Sequence, residues 1–242
     1  MEIIKINGLT KKYKDVVAVN GLSLSVQKGE LFSLLGVNGA GKTTTIKMLT
    51  CLAKPTEGDA IVCSKSIINE ADDVKKHIAV SPQETAVAPN LSVEENLRFI
   101  CGIHGFTKDV SNERIAQITQ RLSLSGIMKK KEGKLSGGWQ RRLSIAMALL
   151  SDPEVLFLDE PTLGLDVIAR SELWDVISEL KGKTTVILTT HYMEEAERLS
   201  DRVGIMKDGH LLCVGTPDEI KAFAGKDDFE DAFISIVKGE RA

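Results

Sequence analysis

The sequence predicts an α/β fold. It should have a mainly parallel sheet with crossover helices, an N-terminal antiparallel β subdomain and an inserted α-helical subdomain. Three observations carry this expectation. Residues 31–35, Leu-Phe-Ser-Leu-Leu, form a continuous apolar run suited to a strand buried on both faces, and the run feeds directly into a glycine-rich stretch. Further apolar runs at 77–81, 155–158 and 185–190 recur with room between them for crossover helices. In the first thirty residues Leu22, Leu24 and Val26 alternate with Ser23, Ser25 and Gln27, the period of a half-buried antiparallel strand.

From Thr43 to about Leu52 the pattern turns helical. Between Gln83 and Gly133 strand signals fade, and Ser92-Val93-Glu94-Glu95 has the capping-box pattern that starts a helix. Ile115, Ile118 and Leu122 follow helical spacing, as do Leu143, Ala146, Met147 and Leu150. These place the helical subdomain at about 85–151. Runs at 203–207 and 210–214 flank Asp208-Gly209, a two-residue hairpin signal. One domain over 1–220 with a short C-terminal extension at 221–242 is the expected division. No coiled-coil heptad, internal repeat or low-complexity segment is present.

The 242 residues suffice for one large core, and 43% hydrophobic against 27% charged residues is a globular balance. A net charge of -3 gives no overall reason to bind nucleic acid or an anionic membrane, so no nucleic-acid partner is expected. The basic run Lys129-Lys130-Lys131 reads as a solvated loop. No apolar stretch approaches the roughly 20 residues needed to span a bilayer, and the first residues lack the apolar region of a signal peptide. Cys51, Cys63, Cys101 and Cys213 are scattered without metal-ligand spacing, as small core residues of a reducing compartment would be. A cytosolic chain is expected.

Three motifs carry chemistry. Residues 36–43, Gly-Val-Asn-Gly-Ala-Gly-Lys-Thr, match GxxxxGK[ST] in full between a predicted strand and a predicted helix, which implies a P-loop NTPase core. Glycines there permit the positive φ that aims successive amides at phosphates. Gly36, Asn38, Gly39, Ala40, Gly41, Lys42, Thr43 and Thr44 are therefore candidate nucleotide-binding residues. Lys42 suits the β- and γ-phosphates and the Thr43 hydroxyl suits Mg²⁺, at a helix N-terminus that adds partial positive charge. Asp159 and Glu160 end the strand at 155–158. With a phosphate loop in the same sheet, Asp159 is a candidate metal partner through water and Glu160 is placed to polarise an attacking water. Adjacent strand residues point oppositely, so the two carboxylates need not share one job. Leu135-Ser136-Gly137-Gly138 opens a helix with a hydroxyl and glycine amides, a second phosphate-binding device, although alone it could be an ordinary capping turn.

Phosphate loop, LSGG and the Asp159-Glu160 strand end, in that order, resemble the ATP-binding cassette (ABC) ATPases, over nearly the whole chain. The resemblance implies a head-to-tail pair in which the LSGG of one cassette, through Ser136, Gly137 and Gly138, closes over the ATP of the other. It implies that Gln83 contacts Mg²⁺ and water and borders a membrane-partner surface, and that His191 contacts the γ-phosphate. It implies that Tyr13 stacks on adenine and that Leu165-Asp166 belongs to the loop crossing the dimer interface. Taken without the other motifs, His191 reads as a structural histidine and Tyr13 as a half-exposed strand aromatic. Two positions depart from the family pattern: Trp139 stands where glutamine is usual, with Gln140 next, and Val167 replaces a frequent proline.

The cargo side is open at this level. The leading expectation is the ATPase subunit of an ABC transporter, with a second cassette and a separate transmembrane permease as partners. Such a subunit would sit on the inner face of the cell membrane through that permease. The stretch from Thr190 to Arg202 and the ending Phe229-Glu230-Asp231-Ala232-Phe233 resemble ATPase subunits of bacterial exporters for drugs, antibiotics or sodium. The alternative is an ABC-type ATPase acting without a permease, for example in cofactor assembly. A GTPase should carry Asn-Lys-x-Asp, which is absent, and a kinase leaves LSGG unexplained.

Overall fold

The computed structural model describes residues 1–239. Its strands are β1 (Glu2–Tyr13), β2 (Val16–Gln27), β3 (Leu31–Leu35), β4 (Glu57–Val62), β5 (Lys65–Ser66), β6 (Ile78–Ser81), β7 (Val155–Asp159), β8 (Thr185–Thr190), β9 (Arg202–Lys207) and β10 (His210–Gly215). Its α-helices are α1 (Lys42–Leu49), α2 (Ala71–His77), α3 (Val93–Ile103), α4 (Lys108–Arg121), α5 (Gly137–Leu149), α6 (Val167–Ser178), α7 (Met193–Leu199), α8 (Pro217–Ala224) and α9 (Phe229–Lys238). An antiparallel sheet in the order β2-β1-β4-β5 lies beside a six-stranded sheet in the order β10-β9-β3-β8-β7-β6. In the second sheet every pairing is parallel except the β9–β10 hairpin.

Two-residue periodicity explains how the central strands are covered on both faces. Val155 and Phe157 join one apolar cluster with Ile4, Leu9 and Val26 of the antiparallel sheet. Leu156 and Leu158 face the other way, into a cluster with Leu97, Ile118 and Leu143 of α3, α4 and α5. Each such fully buried side chain contributes about 1.5–3 kcal/mol of transfer free energy. A third cluster packs Ile220, Phe229 and Phe233 of α8 and α9 against Leu35, Val203 and Ile205.

Several expectations shift at their ends. The strand expected over 77–81 begins at Ile78. His77 closes α2, and its ring pairs with Glu154 at 3.0 Å. The helix expected to reach Leu52 ends at Leu49, because Cys51 takes a left-handed φ of 59° that an α-helix cannot continue through. The hairpin is longer at both ends than 203–214, and Asp208 and Gly209 adopt the positive φ its tight turn needs (48° and 78°). β7 stops at Asp159, so Glu160 is not a strand residue facing opposite to its neighbour. It sits at φ 49°, turned out of the sheet. The register pairs Asp159 with Thr189 and Leu35 with Thr190, so the carboxyl ends of β3, β7 and β8 finish level. That edge is where parallel α/β sheets bind ligands.

Candidate functional site

The phosphate loop leaves β3 and re-enters the fold as α1. Its glycines serve two different demands. Gly36 permits close packing, since a Cβ there would stand 2.4 Å from the Met206 carbonyl. Gly41 caps α1 at φ 103°, a conformation L side chains avoid, and a Cβ would also meet the Ala18 carbonyl at 2.5 Å. Asn38, Gly39, Ala40, Gly41, Lys42, Thr43 and Thr44 line one face of a cavity of about 510 Å³. Gln83, Glu160 and His191 come to it from three other strand ends, with Ala18 and Leu163 completing the wall.

The polar groups interlock. Lys42 Nζ donates to the carbonyls of Gly36 at 2.7 Å and Val37 at 3.3 Å, and pairs with Glu160 Oε1 at 3.2 Å. Glu160 Oε2 meets His191 Nδ1 at 2.7 Å. Behind them Asp159 Oδ1 accepts the hydroxyls of Thr43 at 3.1 Å and Thr189 at 2.5 Å. The Glu160 amide donates to both the hydroxyl and the carbonyl of Thr189, each at 3.1 Å. Thr189 thus fixes both carboxylate residues, and the left-handed turn of Glu160 swings its side chain between a lysine and a histidine.

The oxygen set suits a small hard cation. Among the described residues no cluster of three or more His, Cys, Asp or Glu could hold a metal by itself. Mg²⁺ does not need one, because it takes one or two protein oxygens and fills its octahedron with phosphate and water. The direct contact of Thr43 Oγ1 with Asp159 Oδ1 sets two such oxygens side by side at the mouth of the loop.

Tyr13, Ser136, Gly137 and Gly138 are not in this cavity. Tyr13 ends β1, half exposed, with Lys11 Nζ 5.0 Å from its ring centroid. Ser136 is the exposed N-cap residue of α5, and its hydroxyl makes no capping bond. Gly137 lines a separate hollow of about 380 Å³ with Gln83, Glu84, Gln140, Gly164 and Leu165. Gly138 lets α5 approach α6, where a Cβ would stand 3.0 Å from that of Ala169. Trp139 lies flat under the Arg142 guanidinium, 4.5 Å away, and packs against the core, while Gln140 faces the hollow. Asp166 caps α6 by accepting the Ala169 amide, leaving Val167 exposed.

Sequence reasoning missed three polar residues. Thr189 is one. Arg141, 6% exposed on α5, donates to the carbonyls of Pro82 and Gln83 at 2.6 Å and so holds the segment that carries Gln83. Burial pulls its guanidinium below its usual range, with Asp159 and Glu195 acting against that. The third is Glu195, fully buried on α7. A charged residue at a core-facing helical position was the only available signal for the last two.

Likeness to known proteins agrees with this geometry. Residues 19–163 match the family described as ABC transporter. Residues 132–195 also match one described as AAA domain, putative AbiEii toxin, Type IV TA system. The chain is 38% identical, over 97% of its length, to the probable multidrug ABC transporter ATP-binding protein YbhF of Escherichia coli K12, and it spans 42% of that relative. It superposes on the solved structure of an ATP binding subunit of an ABC transporter with TM-score 0.84 and 26% identity, covering 97% of this chain and 99% of that one. The dimeric post-hydrolysis state of the ATP-binding cassette MJ0796, bound to ADP and Pi, is also similar (TM-score 0.77, 26% identity, 88% and 98% covered). Phosphate loop, paired carboxylates, glutamine and histidine thus converge on one cavity in a fold shared along nearly the full chain, and the protein belongs to the ABC transporter family through its ATP-binding domain.

Proposed function

We propose that the chain binds and hydrolyses ATP as the nucleotide-binding subunit of an exporter, closing in pairs around ATP to drive a separate transmembrane permease. The observation that carries this reading is the cavity itself, where a phosphate loop faces a carboxylate held between Lys42 and His191. The loop amides and Lys42 would hold the β- and γ-phosphates, Glu160 would polarise the attacking water, and His191 would contact the γ-phosphate. Thr43, Asp159 and Gln83 would hold Mg²⁺, which when bound neutralises charge on the phosphate oxygens. Tyr13 would face the adenine.

Ser136, Gly137 and Gly138 stand outside the phosphate-loop cavity, which supports their serving the ATP of a second cassette. Residues 1–220 would form the cassette, about 85–151 its helical subdomain, and 221–242 an extension, of which 240–242 lie outside the described residues. No helix among the described residues is long and apolar enough to cross a membrane. The permease-facing surface would be 84–97. That segment borders an apolar groove of about 250 Å³ between α3, β6 and α5, lined by Ile78, Pro82, Ala86, Ile100 and Met147. Such a contact would hold the chain peripherally at the inner membrane face, and likeness to the Nod factor export ATP-binding protein I of Burkholderia orbicola (42% identical over 88% of this chain and 71% of that one) supports export.

Glu160→Gln tests the reading. It keeps the shape of the side chain and removes the base, so ATP affinity should stay within about threefold while turnover falls by about 10²-fold or more. Undiminished hydrolysis by this variant would remove Glu160 from the reaction and the reading with it.

A further inference from the structure

Two chain segments run side by side at the cavity wall: residues 160–162 after β7, and residues 191–195 from the end of β8 into α7. They are joined at two levels. The outer rung is the Glu160–His191 contact, which faces the cavity. The inner rung lies one helical turn along α7. There Glu195 Oε1 accepts both the Thr162 hydroxyl and the Trp174 indole N–H, each at 2.9 Å. The hydroxyl of Thr190, the residue before His191, also faces this carboxyl. Trp174 is itself fixed: it is 2% exposed, and the Arg170 and Arg198 guanidiniums lie 5.3 and 5.0 Å from the centroid of its ring.

Glu195 has no exposed surface, and no salt bridge to it forms among the described residues. Burying a carboxyl this way is costly for a side chain that merely fills space. Glu195 Oε2 makes no hydrogen bond among the described residues. Burial pushes the carboxyl above its usual range, the nearby Thr190 hydroxyl and the bonds from Trp174 and Thr162 draw it back, and the charge of Glu160 adds a smaller push upward. Glu195 does not line the cavity, so any effect on chemistry must pass through its neighbours.

We propose that Glu195 is a positioning residue: through Thr162 and Trp174 its carboxyl locks the segment bearing Glu160 to the segment bearing His191, and so keeps the outer rung in register for hydrolysis. The proposal rests on Glu160 and His191 acting on ATP as set out above. Because Glu195 acts on geometry and not on the nucleotide, its loss should appear in kcat and not in affinity.

The test uses the full chain, with ATP turnover and fluorescent-nucleotide binding measured on each variant. Glu195→Ala should lower kcat by about tenfold or more with affinity unchanged within about twofold, and Glu195→Gln, whose amide offers the same acceptor, should recover most of the loss. In a His191→Ala background the outer rung is already gone, so adding Glu195→Ala should cost less than about twofold further. A merely structural role would give the same factor in both backgrounds. If Glu195→Ala does not fold, Thr162→Val removes one arm of the lock and should show the same kcat loss with the same non-additivity. Overturning results are unchanged kcat, affinity falling in step with kcat, no rescue by Glu195→Gln, or equal factors in both backgrounds. Glu160→Gln run alongside separates the two claims: if it is inactive while the Glu195 and Thr162 variants behave as wild type, only the lock fails.

Discussion

Lys42 and Glu160 are 5% and 7% exposed at their side chains, so each charge depends on the other for compensation. Removing one partner of such a pair typically costs about 3–5 kcal/mol, far more than intact surface pairs contribute. Glu195 is the opposite case, a buried acid paired only with neutral donors, and its sign against pH can be worked out. Its folded pKa lies above the ordinary 4.5, chiefly through burial. Above pH 4.5 the unfolded chain therefore gives up a proton that the folded chain keeps, and stability falls as pH rises towards the folded value. Glu195→Gln is neutral at every pH and escapes that loss, by about 1.4 kcal/mol for each unit of elevation. The gain in denaturation midpoint over wild type should be near zero at pH 4.5 and positive at pH 7.5. Equal gaps at both would show that the buried carboxyl is not the source. Lys42, Thr43, Asp159 and Glu160 stood out in the sequence because phosphate chemistry favours those residue types in a loop and at a strand end of one sheet, whereas Gln83 and His191 came only from the resemblance to ABC ATPases. The left-handed turn of Glu160 was not legible, since a non-glycine residue at positive φ leaves no mark in composition. Glu195 and Arg141 were illegible for a different reason: their partners Thr162 and Gln83 are 33 and 58 positions away.

Elements were legible where local chemistry sets them. Ser92 accepts the Glu95 amide, and Glu95 Oε2 accepts the Ser92 amide at 2.7 Å, the reciprocal cap read from four letters. Ser92→Ala should cost about 1 kcal/mol, a fall of about 2–4 °C in Tm for a chain of this size. ATP turnover should be unaltered, because α3 does not reach the nucleotide cavity. A thermal melt and an ATPase assay check both halves. A loss of turnover without a change in Tm would place Ser92 in the machinery and not in a helix cap. The same pattern recurs at Thr216-Pro217-Asp218-Glu219, where the full box and a proline in the first turn open α8, although that helix had not been expected. The β4–β5 hairpin was missed because its turn runs through two non-glycine residues at positive φ, Cys63 and Ser64, and because β4 pairs with β1 across more than fifty residues, with Ile4 opposite Val62 and Ile6 opposite Ala60. Strand interiors read correctly from their apolar runs, and β3 and β8 fall where the runs at 31–35 and 185–190 put them. The ends of β6, β7 and the β9–β10 hairpin shift by one residue, because a neighbouring helix end or a turn residue gives a weak local signal.

At the scale of the whole molecule the two phosphate-binding devices do not share a cavity. The loop with its lysine opens into one hollow, while Gly137 opens into another that shares only Gln83 and Leu163 with the first. On the proposed reading a single copy would be half of each site, and two copies related by a two-fold axis would supply two complete ones. This makes mixing informative. Lys42→Ala spoils the loop and leaves Ser136, Gly137 and Gly138 intact. Ser136→Glu spoils the signature turn by placing a negative charge where a phosphate would sit, yet an acidic residue at a helix N-terminus does not disfavour the helix. Each variant alone should be nearly inactive. Mixed in equal amounts, half of the pairs would hold one of each, and in each such pair one site is doubly damaged while the other is intact. Turnover should then recover to at most about a quarter of wild type, and it should rise with total protein concentration as association does. Wild-type turnover by Ser136→Glu alone, independent of concentration, would mean that one copy encloses ATP unaided and that the turn before α5 serves only to begin a helix.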